Sequence, residues 1–186
     1  RGTFNATDTT ITSNTAKSGG GVYVMDGTFN ATETSIISNR ADLGGGVYAW
    51  NGNFNTANTT ISSNTGEYGG GVALYSSSVF NAIDTTITSN EATRNGGGVY
   101  AYKGTINTSN ATISSNTAGA DGGGVALCND SNTFTAIDTT IASNAAARNG
   151  GGVYVNSGTF NAESVVIRRN GAGTGGGIYW TSYGLI

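Results

Sequence analysis

Histidine is absent from the 186 residues, which removes the commonest general acid and base near neutral pH and a frequent metal ligand. Proline is absent as well, and cysteine occurs once, at Cys128, so no intrachain disulfide can form. That lone thiol reads as a tolerated surface or turn residue, with an intermolecular link as the sharper alternative. Charge is sparse. Eight Lys plus Arg against eleven Asp plus Glu leave a formal net charge of −3, without the basic footprint that nucleic acid or an anionic membrane requires. No apolar run approaches the roughly 20 residues that span a bilayer, so no membrane insertion is expected of this segment. The chain opens at Arg1 without Met or a signal peptide, and the expectation is a fragment of a longer repetitive chain or a stacking subunit.

Glycine, by contrast, is abundant and regularly placed. Gly-Gly-Gly begins at Gly19, Gly44, Gly69, Gly96, Gly122, Gly150 and Gly175, always followed by Val or Ile. One Asn stands five or six residues before each triplet: Asn14, Asn39, Asn64, Asn90, Asn116, Asn144 and Asn170. Aligning the copies on Phe4, Phe29, Phe54, Phe80, Ile106, Phe134 and Phe160 leaves ten residues to that Asn in every copy. Length varies only between Asn and triplet and between triplet and aromatic. Seven copies at a period of 25 to 28 residues are one supersecondary unit stacked on itself. The constant stretch predicts strands with a tight corner, and the variable stretches predict loops.

In the copy that starts at Thr28, apolar alternation puts Phe29 and Ala31 inward and Thr28, Asn30 and Thr32 outward. The phase breaks at Glu33, whose counterparts Asp8, Asn58, Asp84, Asn110, Asp138 and Ser164 all suit a bend. A second strand resumes with Thr34 and Ile36 inward. A third follows each triplet, as in Val22 and Val24 inward with Tyr23 outward. The Asn is expected at the next corner, because Asn tolerates the left-handed region and its stacked amides can bond to one another up the solenoid. Ala16, Ala41, Ala92, Ala118, Ala146 and Ala172, two residues later, are expected to turn inward. The prediction is a single all-β domain over residues 1–186, a right-handed parallel β-helix of three strands per coil. Its seven or so coils make a rod about 34 Å long.

The pattern Ile-x-x-Asn-x-Ala-x-x-Gly-Gly-Gly-Val-Tyr, as in Ile36 to Tyr48, resembles the repeats of bacterial surface β-helices. It is similar in particular to the repeats of the chlamydial polymorphic outer membrane proteins, which carry a Gly-Gly-Ala-Ile element and a Phe-x-x-Asn element. Gly20-Gly21-Val22 and its counterparts match the first element. The second is matched loosely, since Ile11 or Ile36 stands where that family has Phe. The resemblance implies a secreted or cell-surface protein with a structural role, adhesin-like or part of an extracellular filament.

The sequence assigns no catalytic, cofactor or metal site, and no enzyme is expected. Enzymes on similar β-helices use clustered Asp with His, or Ca²⁺-holding carboxylates with a Lys or Arg base, and neither set is present. The nearest approach is Asp8 and Glu33, one rung apart on the bend file, where turn preference already accounts for both. Glycine-rich turns also cradle phosphate, but no triplet has the helix start or neighbouring Lys that this needs. The alternative function is a binding module for glycan or ice, with a polysaccharide-active enzyme as the third reading. Its candidate face is the outward file Thr10, Thr12, Thr60, Thr86, Thr88, Thr112 and Thr140, which resembles the regular Thr arrays of ice-binding solenoids. A further file, Tyr23, Tyr48, Tyr100, Tyr154 and Tyr179, is suited to stacking on sugar rings or packing against a neighbouring chain. Sequons at Asn5, Asn30, Asn58, Asn107, Asn110 and Asn129 are candidate glycosylation sites. The expected partner is self, by continuation or end-to-end stacking. Arg1-Gly2-Thr3-Phe4 and the run from Tyr179 to Ile186 carry no capping element, and open rungs recruit further strands.

Overall fold

In the computed structural model the chain is described over residues 2–182; Arg1 and residues 183–186, part of the expected open ends, lie outside the described residues. Most coils lay down separate strands as the alternation predicts, for example Thr28–Thr32, Ser35–Ile37 and Val47–Trp50. In two, the third strand and the next coil's first are one, Val72–Ile83 and Val99–Ser109, so the stretch between triplet and aromatic, read as loop, is strand there. All pairings are parallel and in register, save one shift between Tyr75 and Ser78 opposite Tyr102 and Gly104. Phe4, Phe29, Phe54, Phe80, Ile106, Phe134 and Phe160 form one file. Ile11, Ile36, Ile61, Ile87, Ile113, Ile141 and Ile167 form a second. The third runs from Val22 through Val47, Val72, Val99, Val125 and Val153 to Ile178. The result is a parallel β-solenoid of about seven turns.

Like residues stack because a one-residue slip would turn every apolar side chain to solvent. The three files meet in a single core in which Phe29, Phe54, Phe80, Ile36, Ile61, Val47 and Val72 are fully buried. Phe rings on adjacent rungs stack at 4.9–5.2 Å, the natural rung spacing.

Two further readings need correction. The stretch after each Asn, expected as loop, begins with a fourth ladder. Thr65–Gly66, Glu91–Ala92, Thr117–Ala118 and Ala145–Ala146 make a four-stranded sheet, extended by bridges Thr15 to Arg40, Arg40 to Thr65 and Ala145 to Gly171. The adjoining Asn fixes where the chain leaves the corner, and Ala41, Ala92, Ala118 and Ala146 then pack inward. Ala16, in the first coil, is exposed instead. The left-handed residue at that corner is also not the Asn. It is the residue before it, Ser13, Ser38, Ser63, Ser89, Ser115, Ser143 or Arg169, with φ of 55–59°. Asn itself keeps an ordinary φ, so that its backbone N–H and its amide both aim up the stack.

The triplet needs glycine at each place for a different reason. The first glycine adopts φ of 61–71°, which side chains resist. A Cβ on the second, Gly45, would stand 2.4 Å from Gly70 O and 2.5 Å from Thr65 O in the next coil. A Cβ on the third, Gly46, would stand 2.7 Å from Gly71 O and 3.1 Å from the amide nitrogen of Asn64. Asn and Gly-Gly-Gly, distant in the repeat, are therefore one contact between adjacent coils.

Candidate functional site

The inner Asn ladder is as the sequence predicts, and more fully bonded. In Asn64, Nδ2 donates to Asn90 Oδ1 at 3.0 Å and to Ile36 O at 2.9 Å. Its Oδ1 accepts from the Asn39 backbone N at 2.9 Å and from Asn39 Nδ2 at 3.1 Å. All four bonding positions of the amide are used. The pattern repeats along the ladder from Asn14 to Asn170 and is buried from Asn39 through Asn144. A threonine latch closes the preceding bend, and its role was not foreseen. The hydroxyls of Thr34, Thr59, Thr85 and Thr139 donate back two residues to Thr32, Ala57, Ile83 and Ile137 carbonyls. These ladders leave no reactive group free; they hold coils together.

Outward, a second amide ladder runs along the Phe strands. Asn30, Asn55, Asn81 and Asn107 each donate Nδ2 to the Oδ1 of the preceding Asn, from Asn5 upward, at 2.7–2.8 Å. Beside it, a trough of about 570 Å³ is lined by Asn55, Asn81 and Asn107 together with exposed Ile83 and Ile137. The sequons at Asn5, Asn30 and Asn107 thus have their amides tied into this row. Asn110 donates to Asp84, Asn129 accepts from Ser131 N, and Asn58 stands exposed at its bend.

The threonine file lies on the seven-stranded Ile sheet, facing outward as expected. Thr10 and Thr12 are exposed, and Thr60, Thr86, Thr88, Thr112 and Thr140 are half-buried in register. Ile37, Ala142, Val166 and Arg168 break the array, and Ser114 spends its hydroxyl on Thr88. On the bend file, no group of three or more His, Cys, Asp or Glu is placed to hold a metal among the described residues. The most buried carboxylate, Asp121, accepts from Arg148 Nη2 and Asn149 Nδ2, both at 2.9 Å, which occupies its two oxygens.

The tyrosine file points outward but is largely covered. Tyr48, Tyr100 and Tyr154 alternate with Ala73 and Ala126 and are buried beneath Leu43, Tyr68, Tyr75 and Cys128. Each alanine leaves a gap that a neighbour fills. Tyr75 lies 5.5 Å from the Tyr48 ring and 5.7 Å from that of Tyr100. Cys128 follows its strand at the start of a turn, as read, but is half-buried and packs against the same cluster rather than standing at the surface. Its neighbours there are residues of this chain, and burial pushes its thiol up to about 12.

What the sequence reading missed is the file two residues further on. Met25, Trp50, Tyr75 and Tyr102 stand in register on adjacent rungs, and Met25, Trp50 and Tyr102 are exposed. Each lies six residues after the first glycine of its triplet, which is a signal the alignment contains.

Burial likewise raises Tyr48 and Tyr75 to about 12, neighbouring phenols adding to it at Tyr48 and a hydrogen bond with Tyr100 partly offsetting it at Tyr75, and burial beside Cys128 and Tyr75 raises Tyr100 further. Folded values above the ordinary 9.0 of a thiol and 10.0 of a phenol mean that the native state keeps protons the unfolded chain gives up. This stabilising contribution is complete below about pH 9 and is lost as pH rises toward 12. Stability in urea should therefore fall steadily across that alkaline window, and Cys128 should resist a thiol reagent at pH 8 until the chain is unfolded. Flat stability to pH 12, or immediate labelling of folded protein, would contradict the buried cluster.

No curated protein and no solved structure matches the chain. One coil does match a family: residues 84–102, which carry the bend at Asp84, the Ile87 strand, the ladder Asn90 and the triplet from Gly96, fit the Chlamydia polymorphic membrane protein (Chlamydia_PMP) repeat, and the resemblance read from the sequence holds there.

Proposed function

We propose that this chain is a stiff structural segment of a secreted or cell-surface protein, adhesin-like or part of an extracellular filament, and that it performs no catalysis. The observation that carries the reading is uniformity. The same amide ladder, latch and glycine contact recur coil after coil, and the buried amides are consumed in joining one coil to the next. The match of one coil to a membrane-protein repeat family supports the surface location. Further coils, in the same chain or in a second copy, are the partner that suits the end rungs, since parallel ladders extend by adding like strands.

Antibodies raised against the purified chain should label unpermeabilised cells of the producing organism, and the purified chain should release no reducing or unsaturated ends from pectin or alginate. Labelling only after permeabilisation would overturn the location. Polymer cleavage lost in an Asp8→Asn, Glu33→Gln double variant would make it an enzyme. Retention on a glycan column that is lost in Asn81→Ala, in the lining of the trough, would make it a binding module instead.

A further inference from the structure

We infer that the aromatic comb Met25, Trp50, Tyr75 and Tyr102 is a pairing surface for a second copy of this chain, laid antiparallel against the first. The inference is independent of the surface role proposed above. The four side chains occupy consecutive rungs, and three of them are exposed, Met25 at 61%, Trp50 at 43% and Tyr102 at 40%. On the same face Tyr48 and Tyr100 are covered, while Tyr23, beside Met25, is exposed with the comb.

Two observations select the occupant. The first is ring orientation. Trp50 and Tyr75 stack on each other at 6.2 Å with planes 10° apart, and Tyr75 lies 5.8 Å from Tyr102. Neighbouring rungs thus cover one another's ring faces and turn a row of ring edges outward. A sugar ring stacks on a free aromatic face, which this row does not offer at Trp50 and Tyr75. A second row of the same rung spacing can lie along these edges, rung against rung.

The second observation is charge. The corner beside the comb carries Asp26, Asn51, Ser76 and Lys103 in rung order, all with positive φ and all turned away from the core. Asp26 and Lys103 are exposed, and neither has an ionic partner among the described residues. Asn51 Nδ2 donates to one Asp26 oxygen at 2.6 Å, and no hydrogen bond among the described residues reaches the other. The two charges stand three rungs, about 14 Å, apart. A two-fold axis along the strand direction reverses the rung order of the second copy while keeping its corner on the same side. Asp26 then faces Lys103 of the other copy twice over, Met25 faces Tyr102, and Trp50 faces Tyr75. Parallel pairing brings neither charge to its opposite. The interface is isologous and closed, so it gives a dimer rather than a fibre.

Sedimentation equilibrium of the purified chain should show a monomer–dimer equilibrium with Kd on the order of micromolar, since the comb is small beside a standard interface. Asp26→Lys and Lys103→Asp should each weaken it by about tenfold or more, because each puts like charges together at two symmetry-related places. The double variant carrying both reversals should return to within about threefold of the parent, the residue expected from altered local contacts. Trp50→Ser should abolish pairing while the monomer stays folded, its melting temperature lowered modestly by loss of the stack on Tyr75. A monomer up to about 1 mM would overturn the proposal. So would a double variant as weak as the single ones, or a dimer indifferent to Trp50→Ser.

Discussion

Asn90→Ala should destabilise the solenoid by about 4 kcal/mol, because it removes four buried hydrogen bonds at once. Asn90 Oδ1 accepts from the backbone N and Nδ2 of Asn64, both at 3.0 Å. Its Nδ2 donates to Asn116 Oδ1 at 3.0 Å and to Ile61 O at 2.9 Å. After truncation the Asn64 backbone N–H points at a methyl group, and the Asn64 amide loses one of its two acceptors. Asn116 Oδ1 keeps the backbone N–H of residue 90 and is the least affected. Asn90→Asp separates cavity from hydrogen bond. It preserves shape and the acceptor toward Asn64, but sets an oxygen against Asn116 Oδ1 and the Ile61 carbonyl. It should therefore be no more stable than the Ala variant at pH 7. Thr88→Ala, on the outward face of the adjoining strand, should cost under about 1 kcal/mol. Urea melts of the three variants decide the matter: similar losses for Asn90→Ala and Thr88→Ala would mean that the ladder is not what fastens the coils.

The fold was legible because the repeat is strict where the core is strict. Phe29, Ile36 and Val47 sit inward because the alternation that places them is repeated seven times, and a register that buries one copy buries all. The Asn ladder was legible for the same reason. Its left-handed corner was not, because Ser38 and Asn39 both suit a corner and only the direction of the Asn39 N–H distinguishes them. The fourth ladder escaped notice because Thr65, Glu91 and Thr117 share no apolar pattern; backbone bonds and the inward alanine create it. The tyrosine file misled in the opposite way. Tyr100 does point outward, but Tyr68, from the variable stretch, lies 5.1 Å from its ring and helps cover it. Side chains delivered by segments of unequal length are the part that spacing cannot place. The comb was missed for want of chemical identity: Met25, Trp50, Tyr75 and Tyr102 share a position without sharing a residue.

Gly97→Ala should cost on the order of 5 kcal/mol, more than most core truncations, since the added carbon meets backbone rather than a side chain that can move. Its Cβ would stand 2.4 Å from Gly123 O and 2.6 Å from Thr117 O, both in the next coil. Relief requires the two coils to part along this edge. That strains the bonds from Gly96, Gly97 and Gly98 to Asp121, Gly122 and Gly123, which are 3.0–3.1 Å long in the native rod. Gly171→Ala is the matched control. Nothing lies within 4 Å of a Cβ there and its φ is ordinary, so the change should be neutral or stabilise by up to about 1 kcal/mol through the unfolded chain. The manner of unfolding should change as well. Solenoid stability is a sum over coils and the interfaces between neighbours, so a weakened interface in the middle divides the rod into two shorter arrays. Gly97→Ala should then melt over a broader range than the parent, with proteolysis starting near the coil of Gly97 and Gly123. A variant that melts as sharply and as high as the parent would show that adjacent coils have room at the triplet, and the account of why its second residue is glycine would fail.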